Sequence, residues 1–228
     1  MLMLKESENR ELLEKKAKEL GFSLFGVADI SGIREKFYLD KKTISQYNLA
    51  LSLGKRLLDS ILDDIQDQPT TLYLHHYRKL NYFLDRQAML LSYYVQELGF
   101  KALPIPASQI LDWEKHIAHV SHKHIGRLAG LGWIGRNNLL VNPDFGARFR
   151  LVTILTDIPL DHDKPLSGTC EMCKKCLSTC PAGAIKNTQE EFDHVGCYDK
   201  LEDFRRSGIV GQHICGVCIK ACRGLKSL

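Results

Sequence analysis

The sequence predicts an α/β (α+β) protein, with a mixed-sheet domain over residues 1–160 followed by a small cysteine-rich domain over 161–228. Three observations predict it. Segments with helical apolar spacing are interspersed with β-branched and aromatic runs up to about residue 160, all eight cysteines fall after that point, and the polar stretch "LDHDKPLSG" (160–168) separates the two regions.

The elements follow in order. Residues 6–20 are charged helix formers stopped by Gly21, and "FSLFGVADI" (22–30) has the composition of a strand. "QYNLALSLG" (46–54) predicts a second strand and residues 55–65 a helix. From Leu72 to Leu98 the residues Leu74, Tyr77, Leu80, Phe83, Leu84, Leu91 and Val95 recur at helical spacing, which predicts a long amphipathic helix ended by Gly99. "KALPIPA" (101–107) reads as a short strand that Pro104 and Pro106 confine to an edge. A helix over 113–129 follows, then "LLV" (139–141) and "ARFRLVTILTD" (147–157) as two strands joined in a hairpin by "NPDFG".

With 228 residues, 44% hydrophobic and 25% charged, the chain can bury a real core. No run reaches the roughly 18–20 apolar residues of a membrane span. The opening "MLMLKESENRELLEKKAKEL" is a charged helix rather than a signal peptide, so a cytoplasmic protein with no membrane partner is expected. In a reducing compartment eight cysteines are metal ligands or redox thiols before they are disulfides. The net charge of +4 counts thiols as neutral. Eight thiolates around two oxidised cores of about +2 each would cancel that excess, so it is no argument for a nucleic-acid partner.

"CEMCKKCLSTCP" sets Cys170, Cys173, Cys176 and Cys180 in the pattern C-x2-C-x2-C-x3-C-P without a mismatch. In the bacterial ferredoxin form of this run, three thiolates take three corners of one 4Fe-4S cube and the fourth ligates the other cube. "CGVCIKAC" supplies Cys215, Cys218 and Cys222, and because Gln212 stands where a further cysteine would be, Cys197 fills the vacancy. The expected sets are Cys170, Cys173, Cys176 and Cys222 on one cluster, and Cys180, Cys197, Cys215 and Cys218 on the other. Paired C-x2-C elements also build zinc sites, but zinc explains the three-cysteine run and its x3-C-P poorly. Lys174 and Lys175 inside the cluster loop would tune the potential or dock an acidic electron donor.

"GLGWIG" (130–135) has the G-x-G-x-x-G spacing of dinucleotide sites. Those sites need a strand before the glycines and a helix after, and here the order is helix, loop, strand. A bare tight connection, in which glycine permits positive φ, is the plain reading. Trp133 among three glycines adds to it: the glycines let something flat approach the backbone, and the indole supplies apolar contact.

At this point "AGLGWIGRNNLLVNPDFGARFRLVTILTD", then "CEMCKKCLSTCPAGAI", a lone Cys197 and "CGVCIKAC" together resemble the epoxyqueuosine reductase family, and more distantly the reductive dehalogenases. The resemblance is close over Ala129–Ala184 and loose over Gly21–Cys222. It implies a nitroreductase-like, cobalamin-binding α/β domain followed by a ferredoxin-like domain with two 4Fe-4S clusters, which feed electrons to the cobalt. By the same resemblance Gly130, Gly132, Trp133, Ile134, Gly135, Arg136, Asn137 and Asn138 would lie against the corrinoid. The family's catalytic aspartate falls near His116, with Asp112 the nearest carboxylate, and does not transfer. The chain ends six residues after Cys222, where the family continues into a helical-repeat region that helps hold tRNA. That argues against a tRNA substrate and for a small or nucleoside-like one.

His116, His119, His122 and His124 crowd the segment before the glycine loop. On one helix His116 and His119 would share a face, as would His119 and His122, so a metal site is open to them, as is a plain polar surface. A histidine near neutral pKa also suits proton delivery to a reduced substrate, which makes His116 and His122 the candidate catalytic residues. His75, His76 and Arg78 read as a solvated helix start or as contacts to corrinoid amides. The competing readings are an electron-transfer protein without corrinoid, and a flavin such as FMN in the corrinoid's place. All of them require an electron donor: a ferredoxin, a flavodoxin or a reductase.

Overall fold

The computed structural model describes residues 5–112, 117–170 and 172–225. The chain forms two compact units. One takes in the stretch ending at Lys55, Asn81–Leu131 and Arg150–Leu166; the other takes in Arg56–Leu80, Gly132–Phe149 and the stretch from Ser167 onward. The cysteine segment thus gathers two earlier stretches to itself, a feature that composition read along the chain does not carry.

In chain order the elements are α1 (Glu6–Glu19), β1 (Leu24–Asp29), α2 (Lys41–Ile44), β2 (Leu49–Arg56), α3 (Asp59–Asp63), α4 (Thr71–Glu97), β3 (Ala102–Ile105), α5 (His122–Leu128), β4 (Trp133–Ile134), β5 (Leu140–Val141), β6 (Phe149–Thr156), α6 (Lys175–Thr179), α7 (His194–Arg206) and α8 (Val217–Ala221). Four strands form a sheet in the order β1-β2-β6-β3. β1 runs antiparallel to β2, from Leu24 opposite Gly54 to Asp29 opposite Leu49, and β3 runs antiparallel to β6. β3 is an edge strand, the place where Pro104 is tolerated because a proline has no amide to give to a ladder.

The first unit holds the sheet. Glu8 accepts the Lys5 amide at the start of α1, and Leu13 and Ala17 on its inner face are fully buried. Gly21 ends the run at φ +89°, a conformation a side chain would strain. Leu84, Ala88, Leu91 and Val95 of α4 have no solvent exposure, and Phe83 meets Phe22 edge to face at 6.3 Å. Each buried Leu of this kind contributes about 1.5–3 kcal/mol of transfer free energy. Gly26 of β1 sits where α5 ends: a Cβ there would stand 2.2 Å from the Ala129 carbonyl oxygen. Asp163 closes the unit by accepting a two-pronged pair of bonds from Arg10 and the amide of Val27.

Three expectations are corrected. Of the predicted helix over 113–129, residues 113–116 lie outside the described residues and, of the rest, only α5 is helical, since Ile117 pairs with Asp112 in an antiparallel bridge and His119 turns to the Tyr38 carbonyl at 2.9 Å. "LLV" and "ARFRLVT" are not hairpin partners: β5 pairs with β4, Trp133 opposite Val141, while β6 lies between β2 and β3. Asn142 explains this, since its side-chain oxygen accepts the amides of Asp144 and Phe145 and closes a turn on itself. The helix expected from residue 55 starts only at Asp59, since β2 continues to Arg56. Among the described residues no helix is long and apolar enough to cross a membrane.

Candidate functional site

The eight cysteines are free thiols gathered in the second unit. The two half-motifs fold alike. Cys176 lies on α6 with Cys180 in the extended residue that ends it, and Cys218 lies on α8 with Cys222 in the same position. α6 and α8 pack on each other, which brings the last cysteine of each half-motif to the other half. Cys197 arrives from α7, whose start is capped by Asp193 accepting the Gly196 amide.

The electrostatics divide the thiols into two sets. Burial pushes Cys176 up to about 12, and after burial the causes are Cys222, Cys170 and Cys173. Cys222 is raised by burial and then by Cys170 and Cys173, against the amides of Ala147 and Gly224, which donate to its sulfur and pull it down. In the other set burial raises Cys215 to about 11, opposed by the Val217 amide and reinforced by Cys197 and Cys180. Cys197 is raised by burial and by Cys180, and Cys218 well above the ordinary thiol value by burial, Cys215, Cys176, Cys197 and Cys180. The response of Cys218 to Cys176 makes the two sets neighbours. Among the described residues no three His, Cys, Asp or Glu side chains stand ready to hold a single metal ion.

The glycine loop builds one wall of the first set. Gly132 has no room for a side chain, since a Cβ would lie 2.1 Å from the Val141 carbonyl oxygen. A Cβ on Gly135 would meet Val141 at 2.6 Å, Asn137 Oδ1 at 3.0 Å and Cys170 Sγ at 3.3 Å. Arg136 donates to the carbonyl oxygens of Cys173, at 2.7 Å, and Asn187. Trp133 shares a small cavity with Val141, Cys170, Cys173 and Cys222. Its indole nitrogen is buried with no partner among the described residues, as is the side-chain nitrogen of Asn137. A buried donor left so costs about 1–3 kcal/mol. Ile134 pairs with Leu140 in the β4–β5 ladder, and Asn138 takes the loop through φ +56°. Gly130, at φ +68°, sits against Lys164 and Asp163 in the first unit.

Residues that the sequence does not single out hold this wall. Arg148, almost fully buried, donates to Asp59 at 2.7 Å and to the Lys220 carbonyl on α8. Lys220 in turn caps the carbonyl ends of Asp63 and Ile65 beyond α3. A Cβ on Gly146 would collide with the Cys222 carbonyl oxygen at 2.2 Å, and one on Gly216 with Ile65 and Tyr73 at 2.7 and 2.8 Å. The only signal in the sequence is the run of small residues itself.

The first unit has a cavity of about 670 Å³ lined by Ile33, Lys36, Phe37, Tyr38, His124 and Arg127 among others. His122 lies beside this segment, and its Nε2 donates to the Pro106 carbonyl at 2.9 Å while Nδ1 accepts from the Thr153 hydroxyl at 2.8 Å. It keeps some accessible surface, yet burial brings its pKa down to about 4, with Arg150 adding to the fall and the Pro106 bond opposing it. The ring is therefore neutral at pH 7 and has no proton at Nδ1 to lend. His119 is outside α5, so the shared helix face expected of His119 and His122 is not formed. His116 lies outside the described residues. Burial also lowers Lys123, to about 8.

No protein-family model matches the chain. The epoxyqueuosine reductase of Yersinia pestis is 41% identical over 68 residues, which is 30% of this chain and 16% of that protein. Among solved structures, a catabolic reductive dehalogenase superposes with a TM-score of 0.78 at 18% identity, covering 98% of this chain and 33% of the other. An epoxyqueuosine reductase solved with an epoxyqueuosine-modified tRNA stem loop gives 0.64 at 17% identity, over 96% of this chain and 66% of that one. The fold is thus the nitroreductase-like α/β fold that reductive dehalogenases and epoxyqueuosine reductases share. By its sequence the chain is similar to epoxyqueuosine reductases over about a third of its own length, and it spans about a sixth of the Yersinia pestis protein.

Proposed function

We propose that this chain is an oxidoreductase in which two 4Fe-4S clusters, held by Cys170, Cys173, Cys176 and Cys222 and by Cys180, Cys197, Cys215 and Cys218, relay electrons to a corrinoid. When bound, the clusters supply one-electron steps and the corrinoid a strongly reducing cobalt centre. The observation that carries the reading is the grouping of the thiols: two sets of four, each completed by a cysteine from the other half-motif. The cysteines' own part is to bind iron through sulfur as thiolates, releasing to solvent the protons that their burial and mutual repulsion otherwise hold in place. The glycine loop excludes water from the first set by packing backbone on backbone.

In this reading the second unit is the ferredoxin-like electron relay, and the first, with its basic and aromatic cavity, receives the organic cofactor and substrate. A volume of about 670 Å³ is within the range of ligand sites, roughly 300–1,000 Å³. A solved reductive dehalogenase described as B12-dependent supports a corrinoid over FMN. His122, neutral and held on both sides by Thr153 and Pro106, has no proton to give, and the donor of a proton is sought at His116. The expectation against tRNA yields to the relative solved with a tRNA stem loop: the substrate class we propose is a modified nucleoside, free or within such a stem loop. The partner that feeds the second unit is a ferredoxin, a flavodoxin or a reductase.

Anaerobic purification tests the whole. About eight irons and eight sulfides per chain, with a corrinoid recovered on acid extraction, are expected. Zinc alone, or iron with neither corrinoid nor corrinoid uptake, overturns the oxidoreductase or the corrinoid respectively.

A further inference from the structure

We infer that the indole N–H of Trp133 donates a hydrogen bond to the cluster held by Cys170, Cys173, Cys176 and Cys222 and raises the reduction potential of that cluster above what the thiolates alone would set. The inference rests on the cluster assignment proposed above and assigns to Trp133 a role toward iron and sulfur rather than toward the corrinoid.

Three features of the site converge on it. Trp133 is 5% exposed and its Nε1 has no partner among the described residues. An indole nitrogen can only donate, and buried donors in folded proteins are met by an acceptor. Trp133 also lines the same small cavity as Cys170, Cys173 and Cys222, so the acceptors that a cluster brings there, sulfide and thiolate sulfur, are the ones within its surroundings. Finally the ring is held in place. Its backbone is paired with Val141, itself a wall of that cavity, and the absence of a side chain at Gly168 leaves room for its six-membered edge.

The physical effect has a definite sign. Reduction adds one electron to the cluster and no proton, so the reduced cluster is more negative and accepts the N–H bond more strongly than the oxidised one. The bond therefore favours the reduced form, and the indole proton stays on nitrogen throughout. Hydrogen bonds to the sulfurs are among the levers that set such potentials. Trp133 is a positioning residue in this scheme, acting on the energy of an electron and not on a substrate.

The test is an EPR-monitored redox titration of the anaerobic full chain, native and Trp133→Phe. Phenylalanine keeps a ring in the cavity and removes only the donor. One of the two midpoint potentials is expected to move to a more negative value while the other stays, and an exchangeable-proton coupling to that cluster is expected to vanish. Should Trp133→Phe fail to hold its iron, benzothienylalanine at the same position keeps the bicyclic shape without the N–H and takes its place. Eight irons retained with both potentials unmoved overturns the inference and leaves the functional reading intact. A native protein without iron–sulfur clusters removes the functional reading, and the inference with it.

Discussion

The indole of Trp133 lies so close to Gly168 that a methyl group on that glycine would stand 2.3 Å from Trp133 Cε3 and 2.8 Å from Cδ2. The contact joins β4 to the segment that leads into Cys170. Gly168→Ala must displace the ring, and overpacking of this kind costs about 1–3 kcal/mol. A urea titration followed by far-UV circular dichroism is expected to show a lower midpoint with an unchanged slope. An equal midpoint would mean that the ring is not confined there.

Cys180 distinguishes crossed from local ligation. If each half-motif lends one cysteine to the other cluster, Cys180→Ser and Cys215→Ser perturb the same EPR signal, while Cys170→Ser and Cys222→Ser perturb the other. Local ligation predicts instead that Cys180→Ser behaves as Cys170→Ser does. Comparison of the four spectra decides it.

His122 gives the first unit a pH dependence. Its folded pKa is about 4 against 6.5 for the free ring. Between those values the unfolded chain binds a proton that the folded chain refuses, so stability is full above pH 6.5 and falls as the pH drops through the window. With its residual exposure allowed for, the contribution is on the order of 2 kcal/mol. His122→Gln is expected to lose less stability than the native protein between pH 7 and pH 5, measured by urea midpoints at each pH. Parallel losses would show that other groups carry the effect.

Gly26→Ala tests the junction of β1 with the end of α5. The added carbon would lie 2.2 Å from the Ala129 carbonyl oxygen and 3.0 Å from Leu131, so backbone has to move. A loss of about 2–3 kcal/mol is expected from the thermal unfolding midpoint. Gly32→Ala, with nothing within 4 Å, is the matched control and is expected to change little.

What could be read from the residues alone depended on how far each signal reaches along the chain. The periodicity of α4, the glycine that stops α1 and the proline edge of β3 are all written within a few turns of sequence, and the structure is built accordingly. The pairing of β5 with β4 was hidden because a two-residue strand has no period, and the decisive signal was a turn closed by Asn142. The length of α5 was lost to a local bridge between Asp112 and Ile117. The support given by Arg148 to Asp59 and Lys220 is a relation over 89 and 72 residues, which no local pattern encodes. The helix, loop, strand order already set the glycine spacing apart from a pyrophosphate site, but not what the bare carbons of Gly132 and Gly135 make room for, which is Val141.

The outer position of β3 has an effect on how copies of this chain meet. A sheet that ends in an open ladder invites a neighbour's strand to continue it, which is how edge-to-edge filaments begin. Pro104, in the middle of that four-residue strand, interrupts the row of amide protons such a neighbour would need. One pyrrolidine ring thereby keeps the margin of the sheet from serving as a template for polymerisation.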